Sequence, residues 1–184
     1  VILFEKSNKV LSKVKISGGG RCNVTNACFS VSQLTKNYPR GEKFLKNAFP
    51  HFYTQDTIDW FESRGVPLKA EADNRMFPIS NNSQSIVDCL MKEIERLKIQ
   101  LKLQSVITKM EKVENQFMLV INEQQNYFDK VVVATGGSPK ISGFDWIKSL
   151  QENIVEPVPS LFTFNIPKNR ITELMGVVAS NASV

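Results

Sequence analysis

The sequence predicts an α/β chain with a doubly wound parallel sheet and an antiparallel β excursion. Two apolar runs, "VILF" at 1–4 and the three valines of "KVVV" at 130–133, are typical of buried parallel strands. Between them lies a strongly amphipathic segment at 83–98, which predicts a helix. Each apolar run is followed by a glycine-rich segment, as at the carboxyl edge of a parallel sheet.

Further helices are predicted on both sides of the chain's middle. Residues 40–50 carry Phe44, Leu45, Ala48 and Phe49 at helical spacing. Residues 54–64 predict a second helix, with Thr54 as its N-cap and Gly65 as its C-terminal stop. A third, short helix is predicted at 144–150.

The remaining apolar segments predict strands. Residues 66–80 contain two short extended pieces joined by a turn at Asp73–Asn74. Residues 101–111, 116–122 and 126–128 are extended pieces separated by polar turns, which predicts an antiparallel meander. Further extended pieces are expected at 153–157 and 161–166, with a domain boundary near 160 among several prolines.

Composition narrows the function classes. The net charge is +5, but the lysines are dispersed without a basic block, so the charge alone does not favour a nucleic-acid partner. No apolar run approaches the roughly 18 residues of a membrane span, so no membrane association is expected. Three cysteines without zinc-site spacing predict a reduced, cytoplasmic setting. The apolar ends suggest a piece of a longer protein.

The segment "SGGGRCN" at 17–23 is the most informative motif. Consecutive glycines let backbone amides point at anionic or carbonyl oxygens and let a flat ring lie against the main chain. Arg21 offers a positive charge, and Asn23 a donor and an acceptor. The motif is not a Walker A loop, because no Gly-Lys-Ser/Thr follows. The alternatives are a flexible loop and, for Cys22, simple packing or a redox thiol.

Two other features fit a nucleotide site less specifically. Glu5 ends the first predicted strand, where a carboxylate can accept hydrogen bonds from a ribose diol; the alternative is a surface ion pair with Lys6. "ATGG" at 134–137 ends the last apolar run, where glycines admit a ligand; the alternative is a plain tight turn.

Other catalytic classes lack their residues. His51 is the single histidine and lies between aromatic residues, which favours a structural role over that of a general base. No Gly-x-Ser-x-Gly elbow and no cluster of metal ligands is present in the sequence, so a metal site is not expected. No catalytic residue can be assigned from the sequence.

Together, "VILFEK", "KVKISGGGRCNVTN", "RMFPIS", "VVVATGGSPK" and "PVPSLFTF" resemble one family along essentially the whole chain. It is the family of bacterial NAD(P)/FAD-dependent, aminoacetone-oxidase-like FAD-binding oxidoreductases. The resemblance implies a Rossmann-like FAD domain at 1–160 and the beginning of an inserted, mostly β domain at 161–184. It also implies that the first strand with its glycine-rich pyrophosphate loop, and a C-terminal segment, are missing here.

The resemblance implies a role for each matching residue. Glu5, with Lys6 beside it, would hold the adenosine ribose of FAD, and Val106, on the strand that opens the meander, would meet the adenine. The flavin and its ribityl–pyrophosphate side would be wrapped by Ser17, Gly18, Gly19, Gly20, Arg21, Cys22 and Asn23. The dinucleotide would be closed over near its phosphates by Ala134, Thr135, Gly136 and Gly137.

The sequence thus predicts an FAD-dependent oxidoreductase acting on a small molecule, with NAD(P)H as a candidate electron donor. The alternative is a basic nucleotide- or RNA-binding module, including a flavin-dependent relative that modifies tRNA. Glu5 discriminates between them, because a carboxylate suits a ribose diol and repels phosphate. Substrate and oligomeric state are not encoded in any recognisable pattern.

Overall fold

The computed structural model describes residues 1–138, 140–158 and 166–174. The chain divides into two compact units, Val1–Ile107 and Thr108–Val184, and each is described by itself.

The first unit contains a parallel strand pair. Strand β1 (Ile2–Phe4) pairs in parallel with β5 (Gln100–Lys102), which confirms the predicted parallel strand at 1–4. The prediction that this strand is buried is wrong, since Ile2 and Leu3 are each 40% exposed. A parallel strand becomes buried when helices cover both faces of its sheet, and the sheet here consists of only two strands, β1 and β5, among the described residues.

A second sheet in this unit has the antiparallel order β2–β4–β3, with β2 at Thr25–Asn26, β4 at Arg75–Pro78 and β3 at Leu68–Ala70. The predicted turn at Asp73–Asn74 joins β3 to β4 and is confirmed. Asn74 adopts φ +64° there, a conformation that asparagine tolerates, and its N–H donates to the Glu71 carbonyl at 2.9 Å.

The α-helices predicted at 40–50, 54–64 and 83–98 are present, with small shifts at their ends, and two further α-helices, at Ser12–Gly20 and Val31–Leu34, were not predicted. The α-helices are α1 (Ser12–Gly20), α2 (Val31–Leu34), α3 (Glu42–Ala48), α4 (Thr54–Glu62) and α5 (Gln84–Arg96); a 3₁₀ helix, Thr35–Asn37, continues α2. The predicted N-cap of α4 is wrong by one residue. Tyr53 precedes the helix, and Thr54 instead donates to the Cys28 carbonyl at 2.8 Å.

The core of the first unit lies where helices α4 and α5 meet the antiparallel sheet and the end of the glycine segment. Its buried members are Cys22, Ile58, Phe61, Val66, Leu68, Met76, Ile86 and Cys89. Helix α5 contributes Ile86 and Cys89, and Leu90 packs at the margin of the cluster. The core therefore holds the end of the glycine segment against elements far from it in sequence.

The second unit contains the predicted meander, which is confirmed: β6 (Ile107–Val113), β7 (Gln116–Ile121) and β8 (Gln124–Phe128) are neighbours in that order. Its buried residues include Met110, Met118, Leu119 and Ile121. The single extended piece predicted at 101–111 is wrong. Residues up to Lys102 belong to β5, and Gln104 turns the chain with φ +52° before β6 begins.

The strand predicted at 130–133 is also wrong. In the described part of the chain, residues 131–138 form no strand, and Val132 is 90% exposed. An apolar run becomes a strand only where a neighbouring strand supplies backbone hydrogen-bond partners, and no described strand pairs with residues 131–133.

The predicted helix at 144–150 is present as a longer 3₁₀ helix, Ile141–Leu150, and another 3₁₀ helix lies at Arg170–Leu174. The strand expected at 153–157 is absent there. The boundary near 160 and nearly all of 161–166 lie outside the described residues, so the division into 1–160 and 161–184 stays a prediction.

Candidate functional site

The glycine segment forms a left-handed turn at the end of α1. The backbone leaves helical geometry at Ser17, whose ψ is 150°, and Gly18, Gly19 and Gly20 follow with φ of 56°, 68° and 83°. A residue with a Cβ loses roughly 1–2 kcal/mol in such a conformation, whereas glycine does not. The path of the backbone therefore requires glycine-like freedom at all three positions.

The three glycines have different surroundings. A Cβ on Gly18 would lie 2.7 Å from Cε1 of Phe77 and 2.9 Å from the backbone nitrogen of Asn23. Phe77 is fully buried, so its ring cannot easily move away. A Cβ on Gly19 or Gly20 would meet no described atom within 4 Å. Gly18 thus makes room for the protein's own ring, while Gly19 and Gly20 face open space.

Hydrogen bonds from the start of α5 fix this turn. The buried residue Ser83 donates its N–H to the Gly20 carbonyl at 2.9 Å and its hydroxyl to the Lys15 carbonyl at 2.8 Å. Ser17 donates its own hydroxyl to the Val14 carbonyl at 3.0 Å. These contacts tie both ends of the turn to the fold, which argues against the flexible-loop interpretation.

Two backbone amides of the motif are already used inside it. The N–H groups of Arg21 and Cys22 both donate to the Ser17 carbonyl, the second at 3.0 Å. They are therefore not available to an anionic ligand, unlike in the amide nest that the sequence suggested. Cys22 has φ +64° and is 6% exposed within the core, which supports the packing interpretation of this cysteine.

Arg21 is engaged with the hairpin β3–β4. Its guanidinium lies 4.0 Å from the centre of the Phe77 ring and pairs with the carboxylate of Glu71. Arg75 approaches the same carboxylate at 3.5 Å and the same ring at 5.4 Å. The charge of Arg21 is therefore balanced by Glu71 and is partly exposed, rather than free to serve a phosphate alone.

Asn23 connects the motif to strand β4. With its amide nitrogen turned towards these acceptors, it donates to the carbonyls of Thr25 at 3.0 Å and Met76 at 3.3 Å. The neighbouring Val24 N–H also donates to Met76, at 2.8 Å. Asn23 is exposed and holds the chain after the turn in place.

Glu5 lies at the carboxyl end of β1. Its backbone continues the pairing, with its N–H donating to Lys102 and its carbonyl accepting from Ser105, both at 2.9 Å. One carboxylate oxygen accepts the Ser7 N–H at 2.7 Å. Hydrogen bonds from Ser7, and then the nearby Lys13, lower the pKa of Glu5, so it is ionised at neutral pH. Lys6, beside it, is exposed.

Val106 and the "ATGG" segment differ from their predicted settings. Val106 lies one residue before β6 rather than on the strand, since Gln104 has turned the chain. Residues Ala134, Thr135, Gly136 and Gly137 are exposed, form no strand, and belong to the second unit. Gly136 has φ +74°. Glu5, the glycine turn and Val106 share the first unit; the role of each in binding stays a prediction.

The described residues offer neither a metal-binding cluster nor a membrane-spanning helix. They contain no group of three or more histidine, cysteine, aspartate or glutamate side chains placed to hold a metal ion. Within the same ranges, no helix has both the length and the apolar character to cross a bilayer.

Comparison with known proteins identifies the family. A family profile described as the HI0933-like protein Rossmann domain matches residues 1–158. The chain belongs to this family. The Rossmann-like fold with a parallel and an antiparallel sheet, predicted from the sequence, is thereby confirmed. An aminoacetone-oxidase-like specificity remains a prediction.

Three relatives are similar over nearly the whole chain. A ribosomal RNA dihydrouridine synthase of Escherichia coli is 28% identical over 95% of the chain, and one of Haemophilus influenzae is 25% identical over 96%. A 3-dehydro-bile acid delta(4,6)-reductase of Clostridium scindens is 24% identical over 96%. The chain spans 44 to 46% of the length of these relatives.

The sequence did not reveal the residues that support the glycine turn. Phe77 lies in "RMFPIS", which belongs to a predicted extended piece and to the family resemblance but carries no predicted role at the site, and its contact with Gly18 is tertiary. No sequence pattern indicated that Glu71 and Ser83 support the turn, because a single acidic residue or serine beside a turn is common.

Proposed function

We propose that the protein is a flavoprotein oxidoreductase that binds FAD non-covalently. The observation that carries the proposal is the fixed left-handed turn at Gly18–Gly20 in a chain of the HI0933-like Rossmann family. Gly19 and Gly20 leave open space where any other residue would place a side chain. A flat ring or a phosphate chain can approach a backbone only where such space exists.

The residues of the first unit fit the cofactor in two respects. Ionised Glu5, at the end of a parallel strand, is the acceptor that a ribose diol needs. The open side of Gly19 and Gly20 offers main chain to the isoalloxazine ring or its ribityl tail. The family resemblance assigns Lys6, Val106 and Ala134–Gly137 to the same cofactor, and we retain them as candidate contacts.

The division of work between cofactor and protein follows from these residues. When bound, FAD supplies the electron-transfer chemistry. The chain itself positions and orients the cofactor: Glu5 fixes the ribose, and the turn at Gly19–Gly20 sets how closely the ring approaches. Arg21, with its charge compensated by Glu71, stiffens the turn through Phe77.

We propose NAD(P)H as the electron donor and the cytoplasm as the compartment.

A second candidate is flavin-dependent modification of RNA. Two relatives bear the name ribosomal RNA dihydrouridine synthase, and the chain has a net charge of +5. The name of the third relative, a bile acid reductase, instead favours a small apolar substrate. Two assays therefore distinguish the substrate classes. One measures reduction of uridine in RNA, and the other measures reduction of a small unsaturated ketone.

The test is the visible absorption spectrum of the full-length protein. We expect flavin absorption bands after purification or after reconstitution with FAD. Because the cofactor is not covalently attached, denaturing the protein should release intact FAD. We further expect anaerobic NADH or NADPH to bleach these bands. A protein that stays colourless after reconstitution, with native circular dichroism, would overturn the proposal.

A further inference from the structure

A cleft in the first unit lies between helix α5 and the segment that follows α4. Its volume is about 220 Å³, and it opens to solvent. This is smaller than the roughly 300–1,000 Å³ of a site for a drug-sized ligand, so the cleft suits a small metabolite. This α5 cleft is lined on one side by Arg64, Gly65 and Val66 and on the other by Asp88, Cys89 and Lys92.

The residues that α5 contributes share one side of the helix. At 3.6 residues per turn, Asp88, Cys89 and Lys92 fall within about 100° of its circumference. Cys89 is 5% exposed, whereas Asp88 and Lys92 are exposed. Burial raises the pKa of the Cys89 thiol, so the thiol is uncharged at neutral pH. The α5 side of the cleft therefore has a neutral floor and a charged rim.

Arg64 is held firmly on the opposite side. Its guanidinium lies 4.0 Å from the centre of the Trp60 ring, and its Nη1 donates to the Trp60 carbonyl at 2.9 Å. Its Nε lies 3.0 Å from the carboxylate of Glu93, which also pairs with Arg96 at 2.8 Å. Because two guanidinium groups share one carboxylate, these three side chains keep one positive charge, which an anionic group in the cleft can balance.

The rim carries an acid and a lysine that do not neutralise each other. Asp88 and Lys92 are four residues apart, the spacing at which such residues commonly form an ion pair on a helix. Within the described residues Lys92 makes no salt bridge, and Oδ1 of Asp88 instead accepts a hydrogen bond from Gln84 at 2.8 Å. The cleft thus presents a cation and an anion side by side.

Gly65 keeps the mouth of the cleft clear. It has φ +79°, and a Cβ there would meet no described atom within 4 Å. Val66, next to it, is 8% exposed and adds an apolar wall. The open space is therefore bounded by both apolar and charged groups.

We propose that the α5 cleft binds a free α-amino acid with a small apolar side chain. The carboxylate of such a zwitterion matches Arg64 and Lys92, and its ammonium group matches Asp88. Its side chain fits against Val66 and Cys89. A simple anion is the poorer occupant, because the carboxylate of Asp88 would repel it. None of these residues is assigned to FAD, so the proposal goes beyond the cofactor function.

The test is calorimetric titration of the full-length protein with L-alanine and L-valine. Propionate and ethylamine are the comparison probes, since each lacks one charged group of L-alanine. We expect saturable binding of the amino acids and about tenfold weaker binding of either comparison probe, because each loses a hydrogen bond between charged groups. No saturable binding of either amino acid at millimolar concentration would overturn the proposal, as would equal affinities for L-alanine and propionate.

Asp88→Asn isolates the contact with the ammonium group. It should weaken L-alanine binding by about tenfold without weakening propionate binding, so the preference for the amino acid disappears. Asp59→Asn is the matched control, because exposed Asp59 on α4 accepts a hydrogen bond from Gln55 at 2.7 Å, as Asp88 does from Gln84. The same loss of L-alanine affinity in both variants would contradict the assignment.

Lys92→Met removes the cation and keeps most of the apolar side chain. We expect about tenfold weaker binding of L-alanine. Lys43→Met, on an exposed position of α3, should bind it as the wild type does. Lys92 and Asp88 are exposed, so neither change threatens the fold. Undiminished binding by Lys92→Met would overturn the proposal. The titration needs no flavin, so its failure leaves the proposed cofactor untouched.

Discussion

Three neighbouring glycines in this chain meet two different demands. All three have positive φ, but only Gly18 is also pressed against the protein's own interior, at Phe77 and Asn23. Gly19 and Gly20 are constrained by conformation alone and leave their outer side open. At the residue scale, the site is thus a rigid inner glycine supporting two accessible ones.

This difference predicts unequal losses of stability. Gly19→Ala should cost about 1–2 kcal/mol, from the left-handed backbone alone. Gly18→Ala should cost about 1–3 kcal/mol more, because its methyl group overlaps the buried Phe77 ring. Urea unfolding of both variants measures the difference. Equal midpoints would mean that the Phe77 ring yields freely and does not constrain the turn.

A second prediction concerns Glu5. Glu5→Gln should weaken FAD binding by about 1.5–3 kcal/mol, the usual loss for a hydrogen bond to a charged group. FMN lacks the adenosine ribose, so its binding should be unchanged. Calorimetric titration of both flavins checks this, with Glu123→Gln, in an exposed turn of the second unit, as the control. The same loss for FAD and FMN would place Glu5 away from the ribose.

At the element scale, a charged cluster joins helix α5 to the end of α4. Glu93 on α5 accepts two hydrogen bonds from Arg96, both at 2.8 Å, and lies 3.0 Å from Nε of Arg64. Arg64 in turn lies 4.0 Å from the Trp60 ring centre on α4. The hydrogen bonds from Arg96, followed by the contact with Arg64, lower the pKa of Glu93 to about 2.

The lowered pKa predicts a defined acid sensitivity. In the unfolded chain a glutamate titrates near pH ~4.3. The stabilisation from Glu93 is therefore fully present above about that pH and is lost as the pH falls towards its folded pKa of about 2. Stability of the wild type should fall more steeply across this window than that of Glu93→Gln. Urea midpoints at several pH values test it, and parallel curves for the two proteins would contradict it.

Elements were predictable where their signal is local. The stripe of α5 and the turn at Asp73–Asn74 depend on neighbours in sequence, and both are present. The strand expected at 130–133 depends on a partner strand, which no sequence pattern specifies, and it is absent. Val106 was misplaced for a related reason. The positive φ of Gln104 interrupts what looks like one continuous extended run.

At the scale of the whole molecule, the Rossmann-like fold was predictable because an apolar strand, a glycine segment and an amphipathic helix follow one another in the α/β order, although the second apolar run, at 130–133, forms no strand. The candidate site was predictable only as a motif. Its supporting contacts depend on the tertiary structure. The Phe77 ring occupies the space that a Cβ on Gly18 would need, Arg21 pairs with Glu71, and Ser83 holds the turn. They show that "SGGGRCN" is a structural junction, whatever ligand the segment is proposed to bind.

The central claim is that the open side of the glycine turn receives FAD, and an FAD titration of Gly19→Val tests it most directly. Gly65→Val is the matched control, since Gly65 also has positive φ and no described atom near its Cβ position, but lies after α4. The account predicts native circular dichroism for both variants, at least tenfold weaker FAD binding for Gly19→Val, and wild-type affinity for Gly65→Val. Unchanged FAD affinity in a folded Gly19→Val protein would contradict it.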